Sequence, residues 1–185
     1  MPITITVPGE QDELWDPVTN SFVTCKKQKI TLEHSLVSIS KWESKWHIPF
    51  LENGMTTQEQ LIDYIKCMTI TQNVDDEVFK IIALSPSLLT QLTDYMANPM
   101  TATWFSEDNR PKGSREKMTS ELIYYFMIAY NIPPEYQKWH LRRLLTLIRI
   151  CSIKNEPPKK MSKSEVRSHN RALNAARRNR LGSKG

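Results

Sequence analysis

Glycine and cysteine are scarce in this chain of 185 residues, which has 5 of the first and 3 of the second. Because glycine-rich loops cradle phosphates, so few glycines leave no nucleotide-binding fingerprint. The cysteines Cys25, Cys67 and Cys151 are far apart and odd in number, so we expect neither a disulfide framework nor a Cys-x-x-Cys zinc site. No apolar run reaches the roughly 20 residues that cross a bilayer. We therefore expect a soluble protein made in a cytoplasm.

Residue types that perform catalysis are present, but the sequence does not group them. The four histidines are scattered without a metal-binding spacing: His34, His47, His140 and His169. No serine lies in a nucleophile elbow. Asp75 and Asp76 precede a predicted helix, and its positive end explains both carboxylates. We therefore expect no enzyme, no catalytic residue, no metal and no cofactor.

Two of the histidines have ordinary structural interpretations. His140 lies beside Trp139 on an apolar helical face, so we expect a hydrogen-bonded core histidine rather than a general base. Glu33 and His34 lie where a strand gives way to a helix, and capping is the expected role of both.

Alternating β-branched residues mark two strands near the N-terminus. The first is 3–7, and the second is 21–32, which has a basic middle typical of an exposed strand. We expect these two to pair as a hairpin within a β element of about residues 1–32. The acidic stretch between them is predicted to be a loop.

Helical periodicity begins at Glu33 and continues through most of the chain. Predicted helices start at caps that include Thr56 or Thr57, Ser85, and Thr119 or Ser120. Between them, 101–105 is predicted to be a short strand and 106–115 an exposed loop. The fold class is therefore mainly α: a helical domain with a small N-terminal β-hairpin and a basic C-terminal helical arm.

The longest apolar helix is predicted over 133–155, with two prolines at its start. Its apolar residues spread around more than half of the helix, which indicates burial on several sides. Arg142 and Arg149 lie on the remaining strip. With Arg143 they form a basic cluster, and we expect all three to pair with carboxylates of the same domain.

Charge divides the chain into an acidic body and a basic end. Residues 1–153 carry 15 basic and 18 acidic side chains, a net charge of −3, whereas the last 32 residues carry ten and two, a net charge of +8. The prolines Pro157 and Pro158 indicate an extended linker. We therefore predict a body, 1–153, a linker, 154–161, and a basic helical arm or tail, 162–185.

The arm is the predicted partner-binding segment. Its helix starts at a capping box of Ser162 and Glu165, and its apolar positions form only a thin seam. Three interpretations stay open: a helix that docks on a protein partner, a nucleic-acid contact, or a solvated basic tail. The candidate binding residues are Lys159, Lys160, Lys163, Arg167, Arg171, Leu173, Arg177, Arg178 and Arg180.

Trp42 and Trp46 are four residues apart and share one face of a predicted helix. They are interpreted either as core anchors or as candidate interface aromatics, because tryptophan is enriched at interface hot spots.

Three stretches of the chain resemble small proteins encoded by tailed bacteriophages. They are LEHSLVSISKWESKWHIPFL (32–51), TSELIYYFMIAYNIPPEYQKWHLRRLLTLIRIC (119–151) and PPKKMSKSEVRSHNRALNAARRNRLGSKG (157–185). The resemblance implies a tail-morphogenesis protein, either similar to tail assembly chaperones or a minor virion structural protein. It carries no binding residues over to this chain.

The function that the resemblance implies is non-enzymatic tail assembly through protein–protein contacts. Its implied partners are a tape measure protein, tail tube subunits or neighbouring copies in a homo-oligomer, without membrane contact. The implied location is the host cytoplasm during assembly or the virion. The alternative is a nucleic-acid-binding virion or regulatory protein that uses the basic arm.

Overall fold

The computed structural model describes residues 2–7, 14–17, 20–24, 26–105, 117–155 and 162–182 and is 62% helical. The strands of this described part are β1 (Ile3–Val7), β2 (Leu14–Asp16), β3 (Ser21–Val23) and β4 (Gln28–Leu32). Its α-helices are α1 (Leu36–Trp46), α2 (Phe50–Asn53), α3 (Gln58–Met68), α4 (Asp76–Leu84), α5 (Pro86–Ala97), α6 (Ser120–Ala129), α7 (Leu141–Asn155) and α8 (Lys163–Leu181). A 3₁₀-helix, Pro134–Lys138, precedes α7. The predicted mainly α class is confirmed.

The chain divides into two compact units, Met1–Cys151 and Ser152–Gly185. The hydrophobic core belongs to the first unit. In the second unit, every described residue from 162 to 182 is exposed. Most of the predicted linker, 156–161, lies outside the described residues.

The first and last strands form the predicted antiparallel pair. Ile5 faces Ile30 and Val7 faces Gln28 in the β1–β4 register. Ile5, Val7, Ile30 and Leu32 are buried while alternate residues of both strands are more exposed, so one face of this pair covers the core.

The stretch between these strands differs from its prediction. Leu14–Asp16, predicted as loop, is strand β2, and it pairs with β3. Asn20, directly before β3, has a φ of 49°. The predicted strand 21–32 is therefore two strands with different partners. Three-residue strands give too short an alternation to be recognised in a sequence.

Helix α1 is central to the first unit and packs against α3 and α6. Trp42 is fully buried in α1, and its indole N–H donates to the Gln60 carbonyl at 3.0 Å. It is therefore a core anchor, not an interface aromatic. Trp46 is half-buried and donates to Asp63 Oδ2 at 2.9 Å.

A buried carboxylate connects three helices. Glu43, on α1, accepts the backbone N–H of Phe50 at 2.8 Å and that of Ser120 at 2.7 Å. These residues are the first of α2 and α6, where backbone N–H groups have no intrahelical partner. Glu43 thus fixes two helix starts that are far apart in the sequence.

The single helix predicted over 133–155 is wrong. The 3₁₀-helix ends at Lys138, Trp139 is extended, and α7 begins at Leu141. The cause is tertiary: His140 forms a β-bridge with Ser35, and the Leu141 N–H donates to the His34 carbonyl at 2.9 Å. These contacts take up backbone groups that a continuous helix would have used.

The expected ion pairs of the arginines in α7 are also wrong for the described residues. Arg142 Nε donates to the Met96 carbonyl at 3.1 Å. The guanidinium of Arg143 lies 4.1 Å from the ring centre of Trp139, and that of Arg149 lies 4.1 Å from the ring centre of Phe105. Planar guanidinium groups stack well on aromatic faces, which accounts for the positions of Arg143 and Arg149.

Residues 101–105 form no strand, contrary to prediction. The Asn98 side chain accepts the Met100 N–H, and the Thr101 hydroxyl accepts the Thr103 N–H. Such local side-chain bonds compete with strand pairing. The predicted loop 106–115 lies outside the described residues.

Candidate functional site: a basic helix with a thin apolar seam

Both ends of α8 are capped by residues of its own sequence. The Ser162 hydroxyl accepts the Glu165 N–H at 3.2 Å, and the Glu165 carboxylate accepts the Ser162 N–H at 2.7 Å. Gly182 ends the helix at φ 63°, a conformation that glycine adopts without steric cost. The 19 residues extend over about 28 Å at 1.5 Å per residue. The predicted capping box is confirmed.

No residue of α8 is buried. Val166 is 41% exposed and Leu173 is 43% exposed, and these two side chains form the seam because seven residues separate them. Two apolar side chains on such a helix remove little surface from water, so α8 gains little stability from its own burial.

The cations of α8 are arranged by helical spacing. Lys163, Arg167, Arg171 and Arg178 lie within about an 80° arc, since successive residues turn by about 100°. This cationic row covers about 22 Å along one side of the seam. Arg177 lies at the edge of the seam, and Arg180 lies on the side of the seam opposite to the cationic row. The helix thus presents a narrow apolar strip bordered by positive charge.

The described part of the chain places seven of the predicted binding residues on this helix. They are Lys163, Arg167, Arg171, Leu173, Arg177, Arg178 and Arg180, and all are exposed. Lys159 and Lys160 lie outside the described residues.

A second group, inside the first unit, was not recognised in the sequence. His34 is 4% exposed, and its Nδ1 lies 2.5 Å from the Tyr64 hydroxyl. Its ring centre is 5.2 Å from that of His140, whose Nε2 lies 3.0 Å from the Tyr95 carbonyl. The expectation of a hydrogen-bonded core histidine is confirmed for His140. Capping is wrong for His34, because the N-cap of α1 is Ser35.

Burial keeps both histidines neutral. The pKa of His34 is lowered to about 3, mainly by burial, then by repulsion from the charge that His140 carries when protonated, and then by the Arg142 guanidinium. Burial also lowers the pKa of His140 and raises that of Tyr64, so the Tyr64 hydroxyl keeps its proton. The signal in the sequence was that His34 lies two residues after Leu32 and two before Leu36, but it gave no indication of the distant partners of His34.

Comparison with protein-family models, with curated proteins and with solved structures found no match to this chain. Within the described ranges, no group of three or more His, Cys, Asp or Glu side chains is placed to hold a metal ion. None of the helices in the described part is both long and apolar enough to span a membrane.

Proposed function

We propose that this chain is a non-enzymatic assembly or structural protein of a bacteriophage tail and that it acts through protein–protein contacts. The observation that supports this most is α8, a capped helix of 19 residues with none buried. A helix with so little burial is stabilised by packing on a partner. Its seam and its cations would provide the apolar contact and the charge for that packing.

In the proposed mechanism, the first unit is the rigid part and α8 is the segment that binds. The partner surface should be acidic, since it meets the cationic row. Residues 1–153 have a net charge of −3 and the last 32 have +8, which favours docking of one copy's α8 on the body of another copy. Tape measure or tail tube subunits are the further partners that the phage resemblance suggests, in the host cytoplasm during assembly.

The test reverses the charge of the cationic row in the full chain, by Arg167→Glu, Arg171→Glu and Arg178→Glu together. We expect self-association at low salt for the wild type and a monomer for this variant, by sedimentation velocity. Like charges facing each other across the interface would repel. A wild type that stays monomeric at every concentration would contradict docking between copies.

The matched control is Lys26→Glu, Lys27→Glu and Lys29→Glu. These three exposed lysines of the first unit give the same change in net charge away from α8. The control should associate as the wild type does. Equal loss of association in both variants would mean that net charge, and not the surface of α8, is responsible.

A truncation tests whether the first unit folds without the second and whether the second is required for assembly. Removing residues 156–185 should leave a body that melts cooperatively, because the core lies within Met1–Cys151. The truncated chain should no longer assemble. Non-cooperative melting after this truncation would contradict an independent body.

A nucleic-acid contact is the second candidate, and the cationic row is the observation that favours it. Cations spread over about 22 Å would meet several phosphates, and such binding weakens strongly with salt. However, α8 has no Phe, Tyr or Trp side chain on which a base could stack. Titrations with duplex and single-stranded DNA at two salt concentrations test it, and absence of salt-sensitive binding near physiological ionic strength removes it.

A further inference from the structure

The first unit contains a cavity of about 500 Å³ beside His34. Its apolar walls come from α2, α5 and α7, through Phe50, Leu51, Met96, Leu141 and Leu145. Drug-sized ligands occupy cavities of about 300–1,000 Å³ with mostly apolar walls and few polar groups, so the size and lining suit a small apolar group.

Two polar side chains in the wall have atoms left for a ligand. The buried His34 ring uses its Nδ1 in the hydrogen bond with the Tyr64 hydroxyl. Its other ring nitrogen, Nε2, has no hydrogen-bond partner among the described residues. Arg142 uses Nε for the Met96 carbonyl, which leaves its two terminal nitrogens without a partner in the described ranges. Both residues line the cavity, so a ligand there could meet a neutral imidazole and a cation together.

The electrostatics of the wall favour a negative ligand. Among the described residues that line the cavity, Arg142 is the one that carries a charge and none is a carboxylate. Leu141 and Arg142 form the first turn of α7, whose macrodipole adds positive potential at this end. Arg142 is exposed, and its single guanidinium beside apolar lining residues matches a monoanion, whereas a phosphate dianion would require more cations.

We propose that this cavity binds a monocarboxylate with an apolar body, with the carboxylate on Arg142 and His34 and the apolar part against α2, α5 and α7. A free aliphatic acid and the C-terminal residue of an apolar peptide present this same chemistry. The proposal stands on the first unit alone and does not depend on α8.

The test measures binding to the full chain by calorimetry, with octanoate as the probe and 1-octanol as its neutral counterpart. Octanoate should bind with one site per chain and at least about tenfold more tightly than octanol, since one charged contact accounts for about that factor. Equal binding of the acid and the alcohol would overturn the assignment of the carboxylate site. If octanoate does not bind in the millimolar range, and the leucine-ending peptide described below does not bind either, the proposal is also overturned.

Arg142→Gln and Arg143→Gln form a matched pair for this test. Arg143 follows Arg142 in the first turn of α7, but its guanidinium lies over the Trp139 ring and it does not line the cavity. Arg142→Gln should weaken binding about tenfold or more, and Arg143→Gln should leave it unchanged. Thermal melting of both variants checks that each is folded, and equal losses of affinity would overturn the proposal.

A titration with peptides distinguishes the two sources of the carboxylate. A short peptide that ends in leucine is titrated with a free C-terminus and with an amidated one. Tight binding of the free acid peptide, lost on amidation and in Arg142→Gln, assigns the site to a chain end. Binding of octanoate without the peptide assigns it to a free acid, and binding of neither overturns the proposal.

Discussion

Removing the carboxylate of Glu43 should destabilise the first unit more than any surface charge change. Glu43 is 7% exposed and holds the N–H groups of Phe50 and Ser120 at 2.8 and 2.7 Å. In Glu43→Gln the side chain keeps its shape, but its NH₂ group then faces one of these N–H donors. That donor is left buried without an acceptor, and the remaining bond loses its charge.

The magnitude follows from the two bonds. Hydrogen bonds to a charged group contribute about 1.5–3 kcal/mol each, and an unsatisfied buried donor costs about 1–3 kcal/mol. Part of this loss is offset, because a neutral amide costs less to bury than a carboxylate. We therefore expect the unfolding free energy to fall by about 2–4 kcal/mol and Tm by roughly 5–15 °C in a chain of this size.

Urea denaturation and calorimetry measure both quantities. The control is Glu52→Gln, the same substitution on an exposed carboxylate of α2 that has no hydrogen bond in the described ranges. It should change stability by no more than about 0.5 kcal/mol. If Glu43→Gln were as stable as Glu52→Gln, the account of Glu43 as the connection between α1, α2 and α6 would be refuted.

Two further predictions concern the buried aromatic and histidine side chains. The pKa of His34 is about 3 in the folded chain and about 6.5 when unfolded, so the unfolded state takes up the proton first. Stability should therefore fall as pH drops from about 6.5 towards 3, and denaturation should show about 2 kcal/mol more loss between pH 7 and 5 in the wild type than in His34→Gln. Trp42→Ala should cost about 3–5 kcal/mol in denaturation, as a core cavity does, and the half-buried Trp46 clearly less when changed to Ala.

Each of these two predictions has an outcome that contradicts it. Equal acid sensitivity of the wild type and His34→Gln would mean that other groups, such as His140, account for the loss. Equal costs for Trp42→Ala and Trp46→Ala would mean that burial of Trp42 does not anchor the core.

Local signals allowed much of the fold to be predicted from the sequence. The capping box of Ser162 and Glu165 starts α8 as predicted, and α3 starts at Thr57, one of the two caps predicted there, with Gln60 completing the box. The alternation in 3–7 also predicted β1 and its antiparallel partner. Each of these signals lies within a few residues of the structure that it specifies, because capping and alternation are local effects.

The features that prediction missed depend on residues far apart in the chain. The break before α7 is made by the carbonyl of His34 and the backbone of Ser35, about a hundred positions earlier. The Glu43 bond to Ser120 is similarly distant. Stacking of Arg143 and Arg149 on aromatic rings also required the folded arrangement. Periodicity gives no information on which distant backbone group a side chain will meet.

Of the two candidate binding surfaces, the local one was predicted and the one that depends on distant residues was not. The exposed residues of α8 were predicted, because charge and a thin seam are properties of one segment. The cavity beside His34 was not predicted, because its lining joins His34 with residues of α2, α5 and α7, which only the fold brings together.

Sedimentation velocity of the full chain, alone and with a short labelled DNA duplex, tests the central claim that α8 binds protein. The account predicts salt-sensitive self-association that Arg167→Glu, Arg171→Glu and Arg178→Glu together abolish, and no DNA in the sedimenting species near physiological salt. A chain that stays monomeric and carries the duplex in a strongly salt-dependent manner would contradict the account.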